Sequence, residues 1–129
     1  MKVLIVEDNE VKKDNIIRLL EKEGITDYKT EKFVTEVFQK VRETQFDLLI
    51  TDLGIPRFVD YPIVEDAREG LKMMYDLAYD DIKIPTIVCS ETEIYDEQVE
   101  YLEEMEYPFL GQSKSFESLK KMIKNFCIQ

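Results

Sequence analysis

The stretch Phe46-Asp47-Leu48-Leu49-Ile50-Thr51-Asp52, read with Val3-Leu4-Ile5-Val6-Glu7-Asp8 near the start of the chain, decides the fold. Both are short apolar runs that end in carboxylates. Runs of this length, rich in β-branched residues, read as strands buried on both faces of a parallel sheet. In such sheets ligands sit beyond the carboxyl ends of adjacent strands, so Glu7, Asp8 and Asp52 are placed to converge. Three converging carboxylates repel one another, and a bound cation is the usual relief. Two further strand ends add Ser90, after Thr86-Ile87-Val88-Cys89, and Lys114, after Phe109-Leu110-Gly111-Gln112-Ser113. Acids for a divalent metal, a hydroxyl and a lysine together describe a phosphoryl-binding site.

Outward from these runs, strands and helices alternate five times. The first strand spans about Lys2 to Val6, and its helix runs from about Asn9 to Glu23, where Gly24 stops it. A more polar strand near Asp27 to Phe33 reads as a sheet edge, followed by Val34, Val37, Phe38 and Val41 at helical spacing. The third strand ends at Asp52. Beyond an irregular stretch from Leu53 to Ala67, a helix carries Leu71, Met74, Tyr75 and Ala78. Thr86 to Cys89 is the fourth strand, with Tyr95, Val99 and Leu102 on the helix behind it. A fifth strand near Pro108 to Gln112 precedes a helix with Phe116, Leu119, Met122, Ile123 and Phe126. Alternating β and α units predict an α/β fold, a parallel sheet with right-handed crossovers and helices on both faces.

Composition narrows the function. The chain has 129 residues, enough for one domain with a sizeable core. It has 28 acids against 17 bases, a net charge of −11, which disfavours direct nucleic-acid binding. Histidine is absent, so imidazole catalysis and histidine metal ligation are excluded. Cys89 and Cys127 have no metal-binding spacing and read as small core residues of a reducing compartment. No apolar run reaches the roughly 18 residues of a membrane span and no leader is read, so a cytoplasmic protein without membrane contact is expected. Glu91 to Glu106 holds eight carboxylates and no Lys or Arg, while Lys114, Lys120, Lys121 and Lys124 follow it. Either these are a solvated acidic helix beside a basic one, or they form a charged docking face.

The motifs separate folds of this architecture. No G-x-G-x-x-G follows the first strand and no G-x-x-x-x-G-K-[ST] occurs, which argues against dinucleotide and P-loop sites. The turn Glu7-Asp8-Asn9-Glu10, where a flavodoxin holds its phosphate, would repel one unless a metal intervened. Taken singly, Asp8 also suits a helix cap, Ser90 a cap, and Asp52 and Lys114 solvated ends.

The residues Val3-Leu4-Ile5-Val6-Glu7-Asp8-Asn9, Asp47-Leu48-Leu49-Ile50-Thr51-Asp52-Leu53-Gly54-Ile55-Pro56, Ser90 and Lys114-Ser115-Phe116 resemble the receiver domain of bacterial two-component response regulators, and the likeness covers the whole chain. It implies a flavodoxin-like, doubly wound, five-stranded parallel sheet of order 2-1-3-4-5, and a single stand-alone receiver over residues 1–129 with no effector domain. It further implies that Asp52 accepts a phosphoryl group from the phosphohistidine of a histidine kinase or histidine phosphotransfer protein. By the same likeness Mg²⁺ is held by Glu7, Asp8, Asp52 and the Gly54 carbonyl, while Ser90 and Lys114 contact phosphoryl oxygens. Such a domain is a signalling module that catalyses only its own phosphoryl transfer and hydrolysis, acting as a monomer or weak homodimer on an output protein. The alternative is a receiver-like module that docks its partner without phosphorylation.

Four features depart from the family pattern. The stretch Arg57 to Glu69, which includes Phe58 and Tyr61, is longer than usual and is expected to act as a lid or partner contact. Glu91 stands where a small residue is usual, Ser115 where proline is common, and Gly111 where the family often has a switch aromatic. Tyr107 and Phe109 are the nearby candidates to replace that aromatic, at altered spacing.

Overall fold

The computed structural model describes residues 1–59 and 68–128. Among the described residues five strands, β1 (Val3–Val6), β2 (Tyr28–Glu31), β3 (Leu48–Thr51), β4 (Thr86–Cys89) and β5 (Phe109–Ser113), alternate with five helices. The helices are α1 (Glu10–Lys22), α2 (Val34–Glu43), α3 (Glu69–Tyr79), α4 (Asp96–Glu104) and α5 (Phe116–Ile128). All strand pairs are parallel, in the order β2-β1-β3-β4-β5. The expected sheet and its order are therefore observed.

β1, β3 and β4 are buried throughout, as central strands covered on both faces must be, whereas β2 at the edge is polar and partly exposed. Alternation along each strand splits the core in two. Leu4, Val6, Leu49 and Val88 pack with Val37 of α2, Leu71 and Met74 of α3 and Leu102 of α4. Val3, Ile5, Ile50 and Ile87 pack with Ile16 and Leu20 of α1 and Leu119 and Ile123 of α5. Register brings Val6 opposite Thr51, so the acids that follow β1 and β3 leave the sheet side by side.

One irregularity explains Gly111. Thr86 pairs with Phe109 but Ile87 pairs with Gly111, so Leu110 is an extra residue, a β-bulge. Gly111 has φ +136, in the range that favours glycine, and an added Cβ would lie 3.2 Å from Met122 Cε. An aromatic at this position is excluded by the backbone.

The lengthened stretch is closed at its base by Arg57, whose Nε donates to Glu69 Oε2 at 3.0 Å. Residues 60–67, on which the lid or partner-contact expectation rests, lie outside the described residues. Among the described residues no helix is long and apolar enough to cross a membrane.

Candidate functional site

Asn9, rather than Asp8, caps α1: its side chain accepts the backbone N–H of Lys12 at 3.0 Å. The Asn9 N–H in turn donates to Glu7 Oε1 at 3.1 Å. Asp8 is thereby released from capping. Glu7, Asp8 and Asp52 each offer an oxygen within 4.8 Å of the others. Glu7 is only 2% exposed. Asp52 follows β3 directly, and its Oδ1 accepts the Leu53 N–H at 2.7 Å. That bond fixes the carboxylate and leaves Oδ2 turned to the site.

A cation already reaches this cluster. Lys12, in the first turns of α1, extends its ammonium to 3.1 Å from Glu7 Oε2 and 3.4 Å from Asp52 Oδ2. It donates its short hydrogen bond to the Cys89 carbonyl at the end of β4, at 2.6 Å. Glu7 Oε2 consequently remains buried without a hydrogen bond of good geometry among the described residues. Burial pushes the Glu7 carboxyl up to about 7; Lys12 opposes the shift and Asp52 adds to it. For Lys12, burial acts to lower the pKa, but Asp52 and Glu7 outweigh it and the ammonium is held above its ordinary value.

Ser90 is buried just past β4 and its Oγ accepts the Thr92 N–H at 3.2 Å. It caps no helix, since α4 begins at Asp96. Gln112 pins this loop, donating through Nε2 to the carbonyls of Ser90 (2.7 Å) and Thr92 (2.6 Å). Lys114 is half exposed and its ammonium contacts Glu93, so the structure does not bring it onto the acids. Gly54, Ser90, Lys114 and Asp52 nevertheless line one cleft of about 700 Å³, with the exposed apolar side chains of Val11 and Phe116 at its rim.

Two connections escape the sequence. Gly70, in the first turn of α3, donates its N–H to the Leu53 carbonyl, and a Cβ there would stand 2.1 Å from the Asp52 carbonyl oxygen. Helix α3 can seat against the acid-bearing turn only through a glycine. Arg68 adopts a left-handed backbone (φ 50) before α3. Its guanidinium donates to the Glu93 carbonyl at 2.5 Å and Gln98 Oε1 at 3.3 Å, and lies 4.5 Å from the Tyr95 ring centre. The end of the lengthened stretch is thus clamped to the start of α4. Tyr107 does not replace the missing aromatic. It is buried, and its hydroxyl lies 2.8 Å from Thr86 Oγ1 at the opposite end of β4 from Ser90.

The donor set suits a hard divalent cation. It is all carboxylate oxygen, and among the described residues the buried Glu7 Oε2 has only the Lys12 ammonium, at 3.1 Å, facing it without a hydrogen bond of good geometry, so an ion there would relieve the repulsion between the acids. A family model described as the response regulator receiver domain matches residues 3–124. Among solved structures, the chemotaxis response regulator CheY4 of Vibrio cholerae is 21% identical at a TM-score of 0.70, with 97% of each chain covered. A two-component response regulator from Clostridium difficile is 14% identical at a TM-score of 0.71, covering 100% of this chain and 97% of that one. The beryllofluoride-activated NtrC4 receiver domain dimer is 19% identical at a TM-score of 0.70, covering 98% and 93%. At these identities the structures attest the fold alone. No curated protein gives a significant match. Matched over nearly its whole length, the chain belongs to the response regulator receiver domains of two-component systems.

Proposed function

We propose that this domain accepts a phosphoryl group on Asp52 from the phosphohistidine of a histidine kinase or histidine phosphotransfer protein, with Mg²⁺ as cofactor, and signals by protein–protein contacts. The observation that carries the reading is the convergence of Glu7, Asp8 and Asp52 at adjacent strand ends, with Asp52 Oδ1 anchored by the Leu53 N–H and Oδ2 without a backbone bond among the described residues. Glu7, Asp8, Asp52 and the Gly54 carbonyl are the residues assigned to the ion. When bound, Mg²⁺ supplies the positive charge that lets a carboxylate approach an anionic phosphoryl group.

The step itself is a displacement at phosphorus. Asp52 Oδ2 forms the new P–O bond as the P–N bond of the donor breaks, and the electron pair returns to the donor imidazole. Anchoring of Oδ1 holds the nucleophile in line without a general base, which fits a chain lacking histidine. Ser90 Oγ, beside the cleft, donates to a phosphoryl oxygen once the group is in place. Lys114 pairs with another, and to do so it must leave Glu93. Val11 and Phe116 at the cleft rim offer the donor protein an apolar contact.

Output follows from the loop after β4. Drawing Ser90 toward Asp52 moves a loop that Gln112 pins and that Arg68 clamps to α4, biasing the acidic segment from Glu91 to Glu106 between two arrangements. Gly111 supplies no side chain to carry the movement into β5 and α5. Amide NMR with Mg²⁺, before and after beryllofluoride, tests this. Shifts are expected at Asp52 and Ser90, spreading through 90–106 and Arg68 and fading in α5. No change at Asp52 removes it as acceptor, and changes centred on β5 and α5 refute the proposed route of output.

A second reading is a module that docks its partner without phosphorylation. The contact of Lys114 with Glu93 favours it, since that lysine is engaged away from the acids.

A further inference from the structure

The ammonium of Lys12 lies among three oxygens: Cys89 O at 2.6 Å, Glu7 Oε2 at 3.1 Å and Asp52 Oδ2 at 3.4 Å. Two of these belong to the carboxylate cluster assigned above to the metal. Among the described residues, the ion pairs to Glu7 and Asp52 come from Lys12 alone. The lysine is held in place from both ends. Its backbone N–H is bound by the Asn9 cap, and its side chain crosses from α1 to the last carbonyl of β4.

We infer that Lys12 is a built-in counter-cation that neutralises the acidic pocket in the metal-free protein and must withdraw when a divalent ion binds, so that it sets the metal affinity of the site. This rests on the acidic pocket being the metal site. Two cations cannot share Glu7 Oε2 and Asp52 Oδ2 at close range without strong repulsion. A four-carbon stem with a single charge at its tip can swing out to water at small cost, which a metal ligand cannot. Only the carbonyl of Cys89 loses a donor in that movement, and the adjoining cleft admits water to replace it.

The consequence is an exchange rather than simple binding. In the absence of metal Lys12 offsets the repulsion between Glu7 and Asp52; in its presence that contribution is lost. Lys12 therefore lowers apparent Mg²⁺ affinity while stabilising the metal-free fold. It also covers Asp52 Oδ2 until metal arrives, which makes the nucleophile available only in the loaded site.

The test is Mg²⁺ titration by calorimetry of the whole chain and of Lys12→Met, which keeps an apolar stem of similar length without the charge. The variant is expected to bind Mg²⁺ about tenfold tighter, because two partly buried ion pairs need no longer be broken. Its thermal midpoint in chelator is expected to fall below that of the parent. Equal affinities overturn the role of Lys12 while leaving the metal site intact. Binding by the variant alone overturns the exchange, since Lys12 then never withdraws, and removes Mg²⁺ from the native reaction. Binding by neither overturns both readings. Should Lys12→Met not fold, the parent chain decides the question by NMR of the lysine side chain. The Lys12 Nζ protons are expected to exchange slowly with water in chelator and rapidly in saturating Mg²⁺, and unchanged exchange overturns the inference.

Discussion

Glu7→Gln should stabilise the metal-free protein, and only above a defined pH. Glu7 is 2% exposed and among the described residues its Oε2 lacks a hydrogen bond of good geometry. Burial raises its carboxyl from 4.5 to about 7 against the opposing effect of Lys12. Between those values the folded state binds more protons than the unfolded chain, so stability falls as pH rises and levels off above about 7. At about 1.4 kcal/mol per pH unit, keeping this carboxylate ionised in the fold costs about 3 kcal/mol at pH 8. Glutamine keeps the shape and an oxygen for the Asn9 N–H but cannot ionise. Urea unfolding in chelator at constant ionic strength should give matching stabilities near pH 4 and a difference that grows to about 3 kcal/mol by pH 8, in favour of the variant. The corresponding rise in thermal midpoint is about 10 °C. Millimolar Mg²⁺ should close the gap by stabilising the parent more than the variant. Two curves running parallel from pH 4 to 8 would refute the reasoning, because the site would then carry no penalty for its charge.

Gly70→Ala should be severely destabilising, by about 2–4 kcal/mol in denaturant unfolding, since its Cβ meets the Asp52 carbonyl at 2.1 Å. A variant of parental stability would mean that α3 is not seated against that turn. Glu93→Gln should release Lys114 and speed phosphorylation by a small phosphodonor several-fold. A rate unchanged from the parent would show that the Lys114–Glu93 contact restrains nothing.

The fold was legible because it is carried by local signals: four-residue apolar strands and helices with apolar residues at helical spacing. Even the polar β2 announced itself as an edge. The convergence of Glu7, Asp8 and Asp52 followed from their positions just past adjacent parallel strands, a matter of topology rather than of side-chain detail. What stayed hidden depended on contacts across the fold. Lys12 reads on a sequence as one more charge in a solvated first turn; only the packing of α1 against β4 carries its ammonium to the Cys89 carbonyl. Nothing in the sequence marks Gly70, whose close approach to Asp52 arises from the seating of α3. Lys114 was expected beside a phosphoryl oxygen, and its contact with Glu93 arises from the path of the loop after β4. Gly111 was visible as a departure, but its cause, the bulge at Leu110, lies in the pairing with β4.

The central claim is that Asp52 is the phosphoacceptor, and intact mass after incubation with acetyl phosphate and Mg²⁺ tests it most directly. The account predicts one added phosphoryl group on the parent chain, lost on adding chelator before the donor and absent in Asp52→Asn. Undiminished labelling of Asp52→Asn, or no labelling of the parent in saturating Mg²⁺, would contradict it.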